Sequence, residues 1–140
     1  MSDRGRILVV DDDREIVFGT RLRLNAAGYE TLEAHDGHQA VASARTDRPA
    51  AILLDVRMPR LDGLAALREL KRGAETNAIP VVMVSASMRD QQAALDSGAR
   101  FFLSKPYEYD DLLAALETVL RETNFESEEP LLGVSCHAQV

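Results

Sequence analysis

Five times along the chain a short apolar run gives way to a segment of helical length, and this alternation is the tightest constraint on the fold. Ile7-Leu8-Val9-Val10 leads to Arg14–Ala27, closed by Gly28, and the shorter, more polar Glu30–Ala34 leads to Gly37–Thr46, ended by Pro49. Ala51-Ile52-Leu53-Leu54 precedes a loop holding Met58-Pro59 and Asp62-Gly63, then a helix from about Leu64 to Arg72. Pro80 opens Val81-Val82-Met83-Val84, which leads to Met88–Ser97 and Gly98; Arg100–Leu103 leads to the last helix, Glu108–Arg121. Runs this short and this rich in Val, Ile and Leu fit buried strands, and Gly or Pro after a helical stretch is a stop signal. The pattern predicts the α/β class: a doubly wound, five-stranded parallel sheet with helices on both faces and a polar-leaning second strand near an edge.

Four of these strands deliver polar groups at their carboxyl ends: Asp11-Asp12-Asp13, Asp55, Ser85 and Ser104-Lys105. In an open parallel sheet those ends share one edge, and ligands bind in the crevice outside them. Two unit charges about 4 Å apart repel by roughly 4 kcal/mol at an effective dielectric near 20, so the acids need a cation to offset them. An all-oxygen donor set suits Mg2+. Capping is the competing role for the acidic run, because Asp12 or Asp13 stands where a cap for the helix near Arg14 belongs. Acids, a hydroxyl and an ammonium converging on one edge suit a divalent metal together with a phosphate-like group.

At 140 residues the chain is one domain. A net charge of -7 disfavours direct nucleic-acid binding, which wants a basic patch. No stretch approaches the roughly 18 apolar residues of a membrane span, and Met1–Arg6 lacks an adjacent signal-peptide core. The lone Cys136 excludes an internal disulfide and fits a reducing, cytoplasmic setting. His35 and His38 read as surface residues at a strand-to-helix turn. Residues 1–122 form the domain; 123–140 are an acidic, then apolar tail, read as mobile or as a linker stub. Its Leu131-Leu132-Gly133-Val134 island has docking on this domain or a partner as the sharper reading.

Taken together, Ile7-Leu8-Val9-Val10-Asp11-Asp12-Asp13, Leu54-Asp55-Val56-Arg57-Met58-Pro59-Arg60-Leu61-Asp62-Gly63, Val84-Ser85-Ala86 and Lys105-Pro106 resemble the receiver domain of bacterial two-component response regulators. The resemblance covers about residues 6–122. It implies a flavodoxin-like (βα)5 fold with strand order 2-1-3-4-5, which sets the Asp11-Asp12 strand beside the Asp55 strand at the switch point. It further implies phosphoryl transfer onto Asp55 from a histidine kinase or a phosphotransfer protein, the domain catalysing its own phosphorylation. Asp11, Asp12, Asp55 and the backbone carbonyl of Arg57 would hold Mg2+; Lys105 would pair with a phosphoryl oxygen, and Ser85 would hydrogen-bond another. Asp13 is then left to capping.

The resemblance also makes Ser85 and Phe102 a switch pair that remodels the face of the fourth helix, fifth strand and fifth helix, for a downstream partner or self-association. Phe101 stands where many receivers carry a polar residue, and neighbouring strand residues face opposite ways, so Phe101 and Phe102 cannot enter one pocket. The first helix carries Ile16, Val17, Phe18, Leu22 and Leu24, more than one buried stripe of ~100° holds, which marks it as the kinase-docking surface. Phe101, Tyr107 and Tyr109 read as part of the output face.

Three alternatives compete. A haloacid-dehalogenase-like phosphatase would use an acid at the end of the first strand, but Glu15 stands where Thr or Val is expected. A phosphate-independent pseudo-receiver is opposed by the full set of Asp12, Asp55, Ser85 and Lys105. The third is the receiver piece of a larger regulator or hybrid kinase.

Overall fold

The computed structural model describes the backbone of residues 4–132 and the side chains of residues 4–122. Strands β1 (Arg6–Val10), β2 (Glu30–Ala34), β3 (Ala51–Asp55), β4 (Val81–Ser85) and β5 (Phe101–Ser104) alternate with helices α1 (Arg14–Ala26), α2 (Gly37–Asp47), α3 (Gly63–Arg72), α4 (Asp90–Asp96) and α5 (Tyr109–Leu132). The strands form one parallel sheet in the order β2-β1-β3-β4-β5, as expected. β3 and β4 are buried along their whole length, which is why they read as unbroken apolar runs. β2 lies at an edge and leaves Glu30 and Glu33 exposed.

Alternation along the strands divides the core in two. Leu8, Val10, Ile52, Leu54, Val81 and Met83 pack with α2, α3 and α4 on one face. Ile7, Val9, Ala51, Leu53, Val82 and Val84 pack with α1 and α5 on the other. Phe102 joins the first layer and Phe101 the second, so the adjacent rings split across the sheet.

Local signals set the helix ends. Asp13 accepts hydrogen bonds from the Glu15 and Ile16 amides and caps α1, Asp36 caps α2, and Asp62 caps α3. Gly28 and Gly98 adopt φ of 100° and 112° just past α1 and α4, a conformation that favours glycine. The fifth helix departs from the sequence reading: it continues past Arg121 to Leu132. Glu122–Glu129 contains neither Gly nor Pro, so nothing local stops it where the composition turns acidic. Ten residues of the expected tail are therefore helical; Cys136 and the rest of the apolar island, from Gly133, lie outside the described residues. No helix among the described residues is long and apolar enough to cross a membrane.

Candidate functional site

The carboxyl ends of β1 and β3 bring acids together. Val10 pairs with Leu54, so Asp11 and Asp55 follow side by side, both on the α1/α5 side of the sheet if the alternation is continued by one residue. Oxygens of Asp11, Asp12 and Asp55 lie within 4.8 Å of one another. Asp11 and Asp55 are each 6% exposed, whereas Asp12 faces solvent. Asp13 is turned away into its cap, and Asp11 accepts a hydrogen bond from the Asp13 amide at 3.0 Å, which locks the bend of the acidic run.

Lys105 enters from the end of β5. Its Nζ lies 3.1 Å from Asp55 Oδ1 and 3.3 Å from Asp11 Oδ2. Burial pushes the Asp55 carboxyl up to about 6, Asp11 adds to that, and Lys105 opposes it. Burial lowers the Lys105 pKa, but Asp55 and Asp11 outweigh it and hold the ammonium above its ordinary value. Three acids against one ammonium leave a surplus of negative charge among hard oxygen donors. That donor set fits a hard divalent cation.

The loop after β3 is pressed against Asp55. A Cβ at Gly63 would fall on the Asp55 carbonyl oxygen, and the Gly63 amide donates to Val56 O at 2.8 Å. Only glycine fits there, so the Asp62-Gly63 pair does more than punctuate a loop. The far side of the same loop is held by Arg60, whose Nη1 lies 2.8 Å from buried Asp36. The Lys105-Pro106 peptide is cis.

A family model described as the response regulator receiver domain matches residues 7–117. The chain belongs to that family. Response regulator MprA of Mycobacterium ulcerans is 43% identical over 124 residues, covering 89% of this chain and 53% of the relative. MprA of Mycobacterium tuberculosis is 43% identical over 121 residues, covering 86% and 53%. The chain thus spans about half the length of the curated relatives it matches. Among solved structures, the receiver domain of a Francisella response regulator aligns with a TM-score of 0.79 at 30% identity, covering 85% of this chain and 98% of that one. The receiver domain of a Pseudomonas aeruginosa sensor histidine kinase aligns with a TM-score of 0.77 at 31% identity, covering 83% and 97%; that structure has a magnesium ion coordinated in its active site cleft.

Within this receiver the expected residues fall into two groups. Asp11, Asp12, Asp55 and Lys105 converge, and Arg57 follows Asp55 by two residues. Ser85 is fully buried, but its hydroxyl donates to Asp90 Oδ2 at 2.6 Å and accepts from the Ser87 amide at 3.0 Å. Asp90 escaped the sequence reading because a first-turn acid looks like ordinary helix chemistry, and its partner Arg57 lies 33 positions away.

Two placements correct the sequence reading. His35 is half-buried, with Nδ1 3.2 Å from the Asp11 carbonyl oxygen and Nε2 3.4 Å from Glu33. The pairing of Val10 with Ala34 puts His35 beside Asp11, a neighbourhood invisible until strand register is known. Tyr107 and Tyr109 turn toward α1, lining a groove with Glu15, Ile16, Gly19 and Arg23, and the Tyr109 hydroxyl donates to Arg23 O at 2.6 Å. Phe101 instead lines a separate groove with Leu103, Asp111 and Ala114, so the three aromatics do not share one groove.

Proposed function

We propose that Asp55 is the phosphoacceptor of this receiver domain. The observation that carries the reading is a single one: the Asp55 carboxylate, at the end of a buried central strand, touches Lys105 at 3.1 Å within a cluster of two further acids. A carboxylate oxygen of Asp55 attacks the phosphorus of a phosphohistidine; an O–P bond forms, the N–P bond breaks, and the electron pair leaves with the imidazole. The pKa of about 6 keeps Asp55 largely ionised, and so nucleophilic, at neutral pH. Lys105 follows charge from the carboxylate to a phosphoryl oxygen as a compact point charge. Asp11, Asp12, Asp55 and the Arg57 carbonyl would hold Mg2+, which would offset the charge that keeps carboxylate and phosphoryl group apart.

The donor is a histidine kinase or a phosphotransfer protein, in a cytoplasmic setting, and α1 is the docking surface. Val17 and Leu24 are buried, whereas Ile16, Phe18 and Leu22 are 43%, 65% and 54% exposed, the apolar excess expected of a docking helix. The response passes through Ser85 and Phe102 to the face of α4, β5 and α5, where a downstream protein or a second copy binds. Acetyl phosphate with Mg2+ should add one phosphoryl group, read by intact mass, and Asp55→Asn should abolish the gain. Equal labelling of that variant would overturn the assignment.

A further inference from the structure

The Ser85 hydroxyl has one proton, and in this structure Asp90 holds it. The Ser85 Oγ to Asp90 Oδ2 distance is 2.6 Å, short enough for a charge-assisted hydrogen bond. The Asp90 side chain is only 10% exposed, and both its oxygens are engaged by one guanidinium: Arg57 Nε at 3.2 Å from Oδ2 and Nη2 at 3.0 Å from Oδ1. Arg57 thus reaches from the loop behind Asp55 to the first residue of α4, and Asp90 reaches back to the end of β4. The turn between them is closed by the Ser87 amide donating to Ser85 Oγ and the Asp90 amide donating to Ser87 O at 3.1 Å.

We propose that Asp90, fixed by Arg57, is a positioning residue that competes with the phosphoryl group for the Ser85 proton and so sets how readily phosphorylation is converted into the switched state. The inference rests on the reading of Asp55 as phosphoacceptor. One hydroxyl proton serves one strong acceptor at a time. When a phosphoryl oxygen takes it, Asp90 Oδ2 keeps Arg57 but loses Ser85, and the start of α4 loses a tie to the end of β4. While Asp90 keeps it, the phosphoryl group lacks that donor. The resting bond therefore opposes the active state directly, and the same acid links the loop behind Asp55 to the helix whose face responds.

The test is a titration of the full chain with beryllofluoride, a phosphoryl analogue, in Mg2+, followed through the amide resonances of residues 86–90. Removing the competitor should tighten binding about tenfold in Asp90→Ala, equivalent to about 1.4 kcal/mol, with a smaller gain in Asp90→Asn, which keeps a neutral acceptor. Losing a nearby negative charge would also favour an anion, so the Ser85→Ala background decides between the two causes. Competition for the proton predicts that Asp90→Ala adds nothing once Ser85 is Ala. The same gain in both backgrounds, or equal affinity of Asp90→Ala, Asp90→Asn and the unaltered protein, overturns the proposal. Intact-mass labelling with acetyl phosphate separates the two failures: an unlabelled Asp55 overturns the underlying reading, whereas normal labelling without an Asp90 effect overturns the competition alone.

Discussion

Replacing Asp55 by Asn should stabilise the metal-free domain at neutral pH, even though the acid is central to its proposed function. Burial, then the Asp11 charge, raises the Asp55 pKa from 3.8 to about 6 against the pull of Lys105. At an effective dielectric near 20, a carboxylate 4.8 Å away opposes ionisation by about 3.5 kcal/mol, and an ammonium at 3.1 Å favours it by about 5 kcal/mol. Lys105 also serves Asp11, so its attraction does not make good the water that Asp55 loses on folding. Below about pH 3.8 folded and unfolded chains both hold the proton, and the contribution to stability is fully present. Between that value and about pH 6 the unfolded chain releases its proton first, so stability falls as pH rises; above about pH 6 the loss is complete. A gap of about two pH units is worth roughly 3 kcal/mol, and water at the mouth of the crevice reduces it to about 1–2 kcal/mol. Asn has no charge to desolvate and keeps an oxygen to which Lys105 donates. Urea unfolding in EDTA should place the variant about 1–2 kcal/mol above the unaltered protein near pH 7.5, and level with it near pH 3.5. Saturating Mg2+ should shrink or reverse the difference near pH 7.5, because it favours the chain with all three acids. Equal stabilities near pH 7.5 in EDTA, or a gain of the same size near pH 3.5, would refute the charge-desolvation reasoning.

Asp12→Ala should weaken Mg2+ binding in a calorimetric titration far more than Asp13→Ala, since Asp12 belongs to the oxygen cluster and Asp13 to the α1 cap; the reverse order would shift the ligand assignment by one residue. Asp13→Ala should instead lower stability by about 1 kcal/mol in urea, the typical cost of a lost cap. Lys105→Ala should slow labelling by acetyl phosphate, and an unchanged rate would remove Lys105 from the transfer step. Gly63→Ala should cost about 1–3 kcal/mol and slow the labelling of Asp55, because the new methyl displaces the loop from the Asp55 carbonyl; wild-type stability and rate together would mean that this loop does not position the acid.

How much of the fold could be read in advance followed from where each strand sits. β1, β3 and β4 have neighbours on both edges and helices on both faces, so their sequences had to be apolar throughout and were legible as runs. β2 has one open edge, which its two exposed acids, Glu30 and Glu33, announce. The end of α5 was not legible because helix termination depends on a breaker, and the acidic stretch after Arg121 changes composition without supplying one. Apart from the bond of Ser85 to Asp90, the polar contacts missed were those made across the chain. Arg57 and Asp90 are separated by 33 positions, and Tyr109 and Arg23 by 86, so neither pair leaves a local pattern.

The candidate site was legible to the extent that strand ends announce it, and its division into two halves follows from parity. Ile7 and Val9, Ala51 and Leu53, and Phe101 and Leu103 belong to the α1/α5 layer; the next residues in phase are Asp11, Asp55 and Lys105. Val81 and Met83 belong to the α2-α3-α4 layer, and the next in phase is Ser85, on the same side as Phe102. The charged groups and the proposed switch pair thus leave the sheet on opposite faces, and alternation alone gives their side chains no direct contact. Register adds an axial offset, because Asp55 pairs with Val84 and Ser85 stands one residue further out. In this structure the Lys105 amide ties the two halves along the backbone by donating to Ser85 O at 2.8 Å, and Arg57 and Asp90 join them through side chains. Under the proposed function, a phosphoryl group on Asp55 would extend beyond the sheet edge and offer oxygens to both faces at once. The coupling of chemistry to conformational change would then require no long pathway, since the added group would itself link the two sides of the sheet.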